Sequence, residues 1–237
     1  MTTYVNSAHD ERLDEGMAAQ QRLLQAAEDA GATQAGWKAG FGTRTWRDTF
    51  GLDAPLVGFL LDTTLVLAGA AVSVGTWTAP RAEAELAMRL GSDVAGDVTP
   101  ADALAAVEAL APAIELVDLA PAPDDPSGVL AGNIYHRHWV TGTFAPMPAG
   151  GDLSGLVGHV SAMGTAMDPV ADVEAATGRA GEVLAEVARI AARHGRGLRT
   201  GDVVILGSIV PPTAVGPGGT FHYVLGDHAP LEVALTD

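Results

Sequence analysis

Between Ser7 and Gly31 the apolar positions Leu13, Met17, Leu23, Leu24 and Ala27 recur at helical spacing, with charged and amide side chains between them. This rhythm predicts a helix over 7–31, with Asn6 or Ser7 as its cap and Gly31 as its stop. From Gly36 to Ser161 the pattern changes to short runs rich in Gly, Pro, Thr and Val, which suit strands and tight connections. Within that stretch, Leu65–Val74 predicts a bent strand or strand pair. Thr99–Leu110 predicts a short helix with Thr99 as cap, Pro100 in the first turn and Asp102 near the positive end. A long amphipathic helix is predicted over Asp168–His194, with Gly178 or Gly181 as the point of interruption. Val203–Leu206, Thr220–Leu225 and Leu231–Leu235 read as closing strands. Helix, many strands, a long helix and more strands make an α+β fold with a mixed, mostly antiparallel sheet, unlike the strict alternation of a doubly wound fold.

The chemistry concentrates where the alternation is strictest. In Ala79–Leu90, Ala84, Leu86, Met88 and Leu90 alternate with Glu83, Glu85, Ala87 and Arg89, the period of a strand. Residues two apart on a strand share a face, so Glu83 and Glu85 project together with Arg81 behind them. Two such carboxylates repel unless one is protonated or a hard divalent cation lies between them. A third acid, Glu115, stands in the apolar run Pro112–Leu119, with Asp118 on the opposite face. A lone acid there is costly unless paired, hydrogen-bonded or metal-bound. The plainer reading is that all three are solvated acids on the open face of a sheet, as half-exposed strands often carry.

Composition narrows the function. The 237-residue chain is 48% hydrophobic, enough for one substantial core, and carries 29 acidic against 13 basic residues for a formal charge of -16. That balance argues against nucleic acid and anionic membrane surfaces as partners. It leaves an anionic small molecule open, because a bound cation reverses the local field. The absence of cysteine removes disulfides, thiolate catalysis and Cys-based zinc sites. The first residues lack a basic segment followed by an apolar run, and Pro55–Val74 is interrupted by Asp62, Thr63, Thr64 and glycines. A cytoplasmic protein without a membrane span is expected.

Four blocks, Gly36-Trp-Lys-Ala-Gly40, Pro80-Arg-Ala-Glu-Ala-Glu-Leu86, Pro112-Ala-Ile-Glu-Leu-Val-Asp118 and Gly201-Asp-Val-Val-Ile-Leu-Gly207, stand in this order. Together they resemble the 2-oxopent-4-enoate hydratase and 4-oxalocrotonate decarboxylase family of the fumarylacetoacetate hydrolase superfamily. The resemblance runs from about Gly36 to the C-terminus. It implies a strand-rich mixed β-sheet roll with a short N-terminal helical lobe, divided as a helical segment over 1–35 and a catalytic β-rich domain over 36–237, and usually assembled as a homo-oligomer. It further implies Mg²⁺ or Mn²⁺ on Glu83, Glu85 and Glu115, with Lys38 beside the substrate as a catalytic group. A cation chelating a 2-oxo acid would act as a Lewis acid on its C2 carbonyl.

Two departures stand out. Where family hydratases carry an aspartate after the lysine, this chain has Leu56, an apolar substrate-facing residue that is expected to disfavour hydration; Asp53 lies close by in sequence. The family's small acidic loop reads Gly132-Asn-Ile-Tyr-His-Arg-His-Trp139 here, retaining Asn133. His136 becomes a candidate acid–base residue if this loop is a repurposed pocket wall; otherwise the segment is a solvent-facing strand edge. Arg81, Asn133 and Leu56 are therefore the expected substrate contacts, and Lys38 and His136 the expected catalytic pair. The expected function is a metal-dependent lyase of decarboxylase, hydratase or tautomerase type, acting on a 2-oxo acid or related dicarbonyl through a metal-bound enolate, with a biosynthetic substrate open. The alternatives are an acylpyruvate-type carbon–carbon hydrolase and a non-catalytic partner subunit on the same scaffold. Asp202 is expected to hold a turn.

Overall fold

The computed structural model describes residues 10–121 and 124–237. The positions expected to cap the first helix, Asn6 and Ser7, lie outside the described residues. Asp10 caps a short 3-10 turn, Glu11–Leu13, its carboxylate accepting from the Arg12 N–H at 3.1 Å, and the turn runs into α1, Asp14–Asp29. There follow β1 (Gln34–Gly40), α2 (Arg44–Phe50), β2 (Leu56–Leu61), β3 (Ala71–Ser73), β4 (Pro80–Leu90), α3 (Pro100–Ala105) and β5 (Val107–Asp118). The chain continues through α4 (Pro126–Ala131), β6 (His136–Thr141), β7 (Ala145–Pro146), β8 (Gly158–Ala162), β9 (Thr165–Ala166) and α5 (Ala180–Arg193). It closes with β10 (Val203–Ser208), β11 (Thr213–Ala214), β12 (Thr220–Leu225) and β13 (Leu231–Thr236).

The strands form two sheets. The larger runs β2-β1-β10-β4-β5-β6, with β11 on β4 and β7 on β5; the smaller runs β3-β13-β12-β8-β9. Pairing is antiparallel except for β1 with β10 and β13 with β3. The larger sheet curls until its ends meet. Beyond β2 the chain turns through Asp62–Thr64, the Val66 N–H donates to the Trp139 carbonyl of β6 at 2.9 Å, and the Trp139 indole donates to the Leu61 carbonyl at 2.9 Å. Satisfying those edge groups closes the roll that the family resemblance implies.

Alternation along β4 and β5 separates two environments. Ala82, Ala84, Leu86, Met88 and Leu90 turn outward into the main core, shared with Ile114 and Leu116 of β5, the smaller sheet and α5. The other face looks into the roll. There Leu60, Ala87, Ala111, Ala113, Trp139 and Ile205 make a separate apolar plug, whose alanines leave room for the curl. Glu83, Glu85 and Glu115 continue this inner face beyond the plug.

Three expected elements differ. Leu65–Val74 yields only β3, because Leu65 makes a single bridge to Trp139 and the chain turns at Gly69 with φ +80. The helix predicted to Leu110 stops at Ala105; Val107–Leu110 pairs instead with β4, so sheet pairing overrides an Ala-rich helical preference. The long helix starts at Ala180, after Gly178 with φ +103 breaks the run. Its first N–H is capped by the Glu174 carboxylate at 2.7 Å. α1 packs on α4, where the buried Gln20 amide donates to the Leu130 carbonyl at 3.1 Å. Among the described residues no helix is long and apolar enough to cross a membrane.

Candidate metal and substrate site

Register brings the three acids together. Glu83 on β4 lies directly opposite Glu115 on β5, and Glu85 follows two residues on, on the same face. One carboxylate oxygen from each falls within 4.8 Å of the others. Glu85 and Glu115 are each 1% exposed, whereas Glu83 is half-buried. Lys38, also 1% exposed, projects from β1 and donates to Glu115 Oε1 and, at 3.1 Å, to the Ile134 carbonyl.

Each acid is held differently. Glu115 Oε1 receives Lys38 Nζ and His136 Nδ1, the latter at 2.7 Å, which leaves the lone pairs of the other oxygen for a cation. Glu85 Oε2 accepts from the Gly207 N–H at 2.9 Å. That donor is aimed by a bulge: the β10–β4 register shifts between Ile205 and Ser208, and Gly207 has φ +99. A Cβ on Gly207 would also meet Thr177 Cγ2 at 2.8 Å.

The electrostatics describe a cluster lacking positive charge. Burial, with the neighbouring Glu115 charge, pushes Glu83 up to about 8, Lys38 opposing. Burial and the Glu115 and Glu83 charges hold Glu85 well above the usual carboxylate range, against Lys38 and the Gly207 N–H. For Glu115, burial raises the pKa, but Lys38 and the His136 hydrogen bond together bring it below its ordinary value. One ammonium thus offsets one acid, and burial beside that acid disfavours the charged form of the other two unless a cation arrives. Three hard oxygen donors around one point fit a divalent cation of the Mg²⁺ or Mn²⁺ type better than zinc, which favours nitrogen and sulfur.

The acids and Lys38 line a cavity of about 350 Å³. Val117 and Leu119 continue the Glu115 face of β5 along its wall, joined by Phe41, Trp46, Ile134 and Tyr135. Phe41 and Trp46 meet edge to face at 5.1 Å between centroids, and Tyr135 lies 6.4 Å from Phe41. Asn133, Ile134 and Tyr135 have φ of 53, 55 and 60, a run that costs backbone energy, above all at the β-branched Ile134. This run turns the Ile134 carbonyl to Lys38 and the Tyr135 ring to the cavity.

Other expected site residues stand elsewhere among the described residues. Leu56, 1% exposed, packs behind the wall with Leu52, Val129, Leu130 and Ile134, so it meets no ligand in this cavity. Asp53 is exposed. Asn133 clamps β2, its Oδ1 accepting from the Phe59 N–H at 2.9 Å and its Nδ2 donating to the Phe59 carbonyl at 3.0 Å. Arg81 shares the face of Glu83 but folds back, donating from Nη1 to the Pro80 carbonyl at 3.0 Å. His136 lies beneath Glu115, between it and Thr64, whose Oγ1 is 3.0 Å from Nε2. Burial lowers its pKa although the Glu115 hydrogen bond opposes this. Of its neighbours, Arg137 reaches the Asp118 carboxylate at 3.5 Å and His138 stacks on Trp77. Asp202 Oδ2 accepts from the Arg199 N–H at 2.9 Å, in a turn as expected.

Sequence reasoning missed Gly207, Thr177, Gly58 and the Phe41–Trp46 pair. A Cβ on Gly58 would fall 2.6 Å from Asn133 Oδ1 and 2.9 Å from Lys38 Cγ, so this glycine permits the lysine's passage. A glycine ending the Val203–Leu206 run signals a bulge, and Thr43 preceding a short aromatic run signals a capped helix over the site; both signals were present.

Comparison with known proteins gives a consistent picture. The sequence profile of the fumarylacetoacetate (FAA) hydrolase C-terminal family matches residues 35–235. A 4-oxalocrotonate decarboxylase from a Pseudomonas species is 33% identical over 205 residues, covering 84% of this chain and 77% of the relative. A 2-hydroxyhexa-2,4-dienoate hydratase from Comamonas testosteroni is 29% identical over 220 residues, covering 91% and 83%. Among solved structures, 4-oxalocrotonate decarboxylase from Pseudomonas putida G7, complexed with magnesium and adipate, superposes with a TM-score of 0.87 at 22% identity, covering 94% of this chain and 86% of that one.

Proposed function

The chain belongs to the fumarylacetoacetate hydrolase family, and on that premise we propose that it is a divalent-metal-dependent enzyme of decarboxylase or tautomerase type acting on a small anionic 2-oxo acid through its enolate. The observation that carries this is the convergence of Glu83, Glu85 and Glu115 beside Lys38 in one cavity. Mg²⁺ or Mn²⁺ is the cation, supported by the all-oxygen donor set and by relatives whose names are those of a decarboxylase and hydratases, one of them solved with magnesium. When bound, the cation would polarise the carbonyl of a chelated 2-oxo acid.

The chain's own groups do the rest. Glu83, Glu85 and Glu115 hold the metal. His136 fixes the Glu115 carboxylate from behind, and the Gly207 N–H fixes Glu85. Lys38 spends two N–H donors on Glu115 and the Ile134 carbonyl; its third is available for the substrate carboxylate or a proton in transit. The apolar wall excludes water from the enolate. Once the three acids hold metal, the titratable groups left on the cavity wall among the described residues are Lys38 and Tyr135. No carboxylate or imidazole remains there to activate water, which disfavours hydration and carbon–carbon hydrolysis relative to decarboxylation or tautomerisation.

Residues 36–237 form the catalytic domain in this reading, with α1 supporting α4. A cytoplasmic homo-oligomer is the corresponding state, and sedimentation of the purified chain measures its size. Activity is tested by incubating the chain with C5 and C6 2-oxo and 2-hydroxydienoic acids plus Mg²⁺, following dienol absorbance and product mass. Conversion should require metal and fail in Glu85→Gln. Metal-independent conversion, or none with any 2-oxo acid, contradicts the reading.

A further inference from the structure

Apart from Lys38, no cationic side chain lines the cavity among the described residues. Lys38 gives two donors to Glu115 and the Ile134 carbonyl, and its third is the one assigned above to the head of the 2-oxo acid. The undescribed positions 1–9, 122 and 123 contain neither Lys nor Arg. Nearby arginines are engaged elsewhere: Arg137 with Asp118, Arg179 with Glu174, and Arg44, on the cavity-covering α2, with Asp48. Arg81 is the cation that comes nearest in register. It stands opposite Val117, on the Glu83 face, yet its guanidinium folds onto the Pro80 carbonyl and does not reach the wall.

What the wall offers in place of charge is mainly aromatic and aliphatic surface, with Thr43, Thr45, Thr177 and Ser208 as its neutral polar residues. Phe41 and Trp46 are fixed edge to face, Phe50 stacks behind Trp46 at 5.8 Å, and Tyr135 is turned inward by the left-handed run. Val117 and Leu119 extend this surface directly from Glu115. A carboxylate placed against it without a partner would be strongly disfavoured, whereas an uncharged ring or branched chain would bury apolar area. The volume of about 350 Å³ lies at the lower end of the roughly 300–1,000 Å³ typical of small-molecule sites.

We infer that the substrate is a monoanionic 2-oxo acid with a bulky, uncharged, preferably aromatic tail, selected by the Phe41–Trp46–Tyr135 wall, and not a dicarboxylate. This rests on the proposed function, since it takes the 2-oxo acid head to sit at the three acids. A substrate of this class has no remote carboxylate to lose as carbon dioxide, so of the two routes favoured above it leaves tautomerisation through the enolate.

The test is calorimetric titration of the Mg²⁺-loaded full-length chain with oxalate, 2-oxo-4-phenylbutanoate and 2-oxoadipate. Oxalate reports on the head site alone. The phenyl acid should bind at least about tenfold tighter than the diacid, and Trp46→Ala should reduce that ratio to about threefold or less. Arg81→Ala should leave it unchanged. If oxalate binds but the diacid equals or exceeds the phenyl acid, the inference is overturned while the proposed function stands. Loss of diacid binding in Arg81→Ala would then identify Arg81 as a tail clamp. If neither oxalate nor any 2-oxo acid binds, the proposed function fails and this inference falls with it.

Discussion

Lys38, His136 and Leu56 illustrate how one residue's meaning depends on what it touches. Lys38 is the buried counter-ion of Glu115 as well as a group facing the cavity. Lys38→Ala should lower turnover by about 100-fold or more. It should also destabilise the metal-free fold by about 3–5 kcal/mol, because a buried acid loses its partner. Added Mg²⁺ should recover much of that stability; paired melting curves and steady-state kinetics check both. His136→Ala should weaken Mg²⁺ binding by about 10–100-fold, and His136→Gln, whose amide can still donate to Glu115, should restore part of it. Equal affinity in all three proteins would make His136 an ordinary buried residue. Leu56→Asp should introduce no hydratase activity and should cost several kcal/mol, since its carboxylate would enter an apolar cluster behind the wall. A gain of hydration in a folded Leu56→Asp protein would place that side chain at the substrate after all.

At the scale of elements, the strand carrying Glu83 and Glu85 was readable because its alternation is strict, and register with the Glu115 strand then completes the triad. The lone acid in an apolar run pointed correctly to a group that cannot be simply solvated. The bulge after Ile205 was less visible: Gly207 signals one, but not that its N–H would meet a carboxylate 122 positions away. The helix over-read from Asp168 failed for a local reason, since valines at helical spacing lie in a loop broken at Gly178. Val107–Leu110 was misread because propensity cannot anticipate the pairing with β4. Gly207→Ala tests the bulge's role. Its positive φ and the Thr177 contact should displace the N–H from Glu85 and weaken Mg²⁺ binding by about 1–3 kcal/mol. Calorimetry showing unchanged affinity would reduce the bulge to a feature of the sheet alone.

Over the whole molecule, the roll gathers an acid pair, a third acid and a lysine into a surface where one cation faces three acids until metal arrives. This sets a pH signature. Glu83 sits at about 8 in the folded chain against 4.5 ordinarily, and Glu85 is raised as well. From about pH 5 to pH 8 the metal-free fold therefore holds protons that the unfolded chain has released. Its stability should fall as pH rises through this window, by up to about 1.4 kcal/mol per pH unit for each such proton. Mg²⁺ binding must displace the same protons, so affinity should rise over the window. Stability that climbs with pH in the metal-free protein would contradict the assignment. The three acids and Lys38 were legible in sequence; the aromatic wall, the positions of Leu56 and Asn133 and the seat of His136 required three-dimensional packing.

The most direct test of the central claim is calorimetric titration of Mg²⁺ into the metal-free chain and into Glu85→Gln at pH 8, with circular dichroism verifying that both are folded. The account predicts one saturable site per chain in the unmodified protein and a loss of affinity of at least about 100-fold in the variant. Equal Mg²⁺ affinity in a folded Glu85→Gln chain would contradict it.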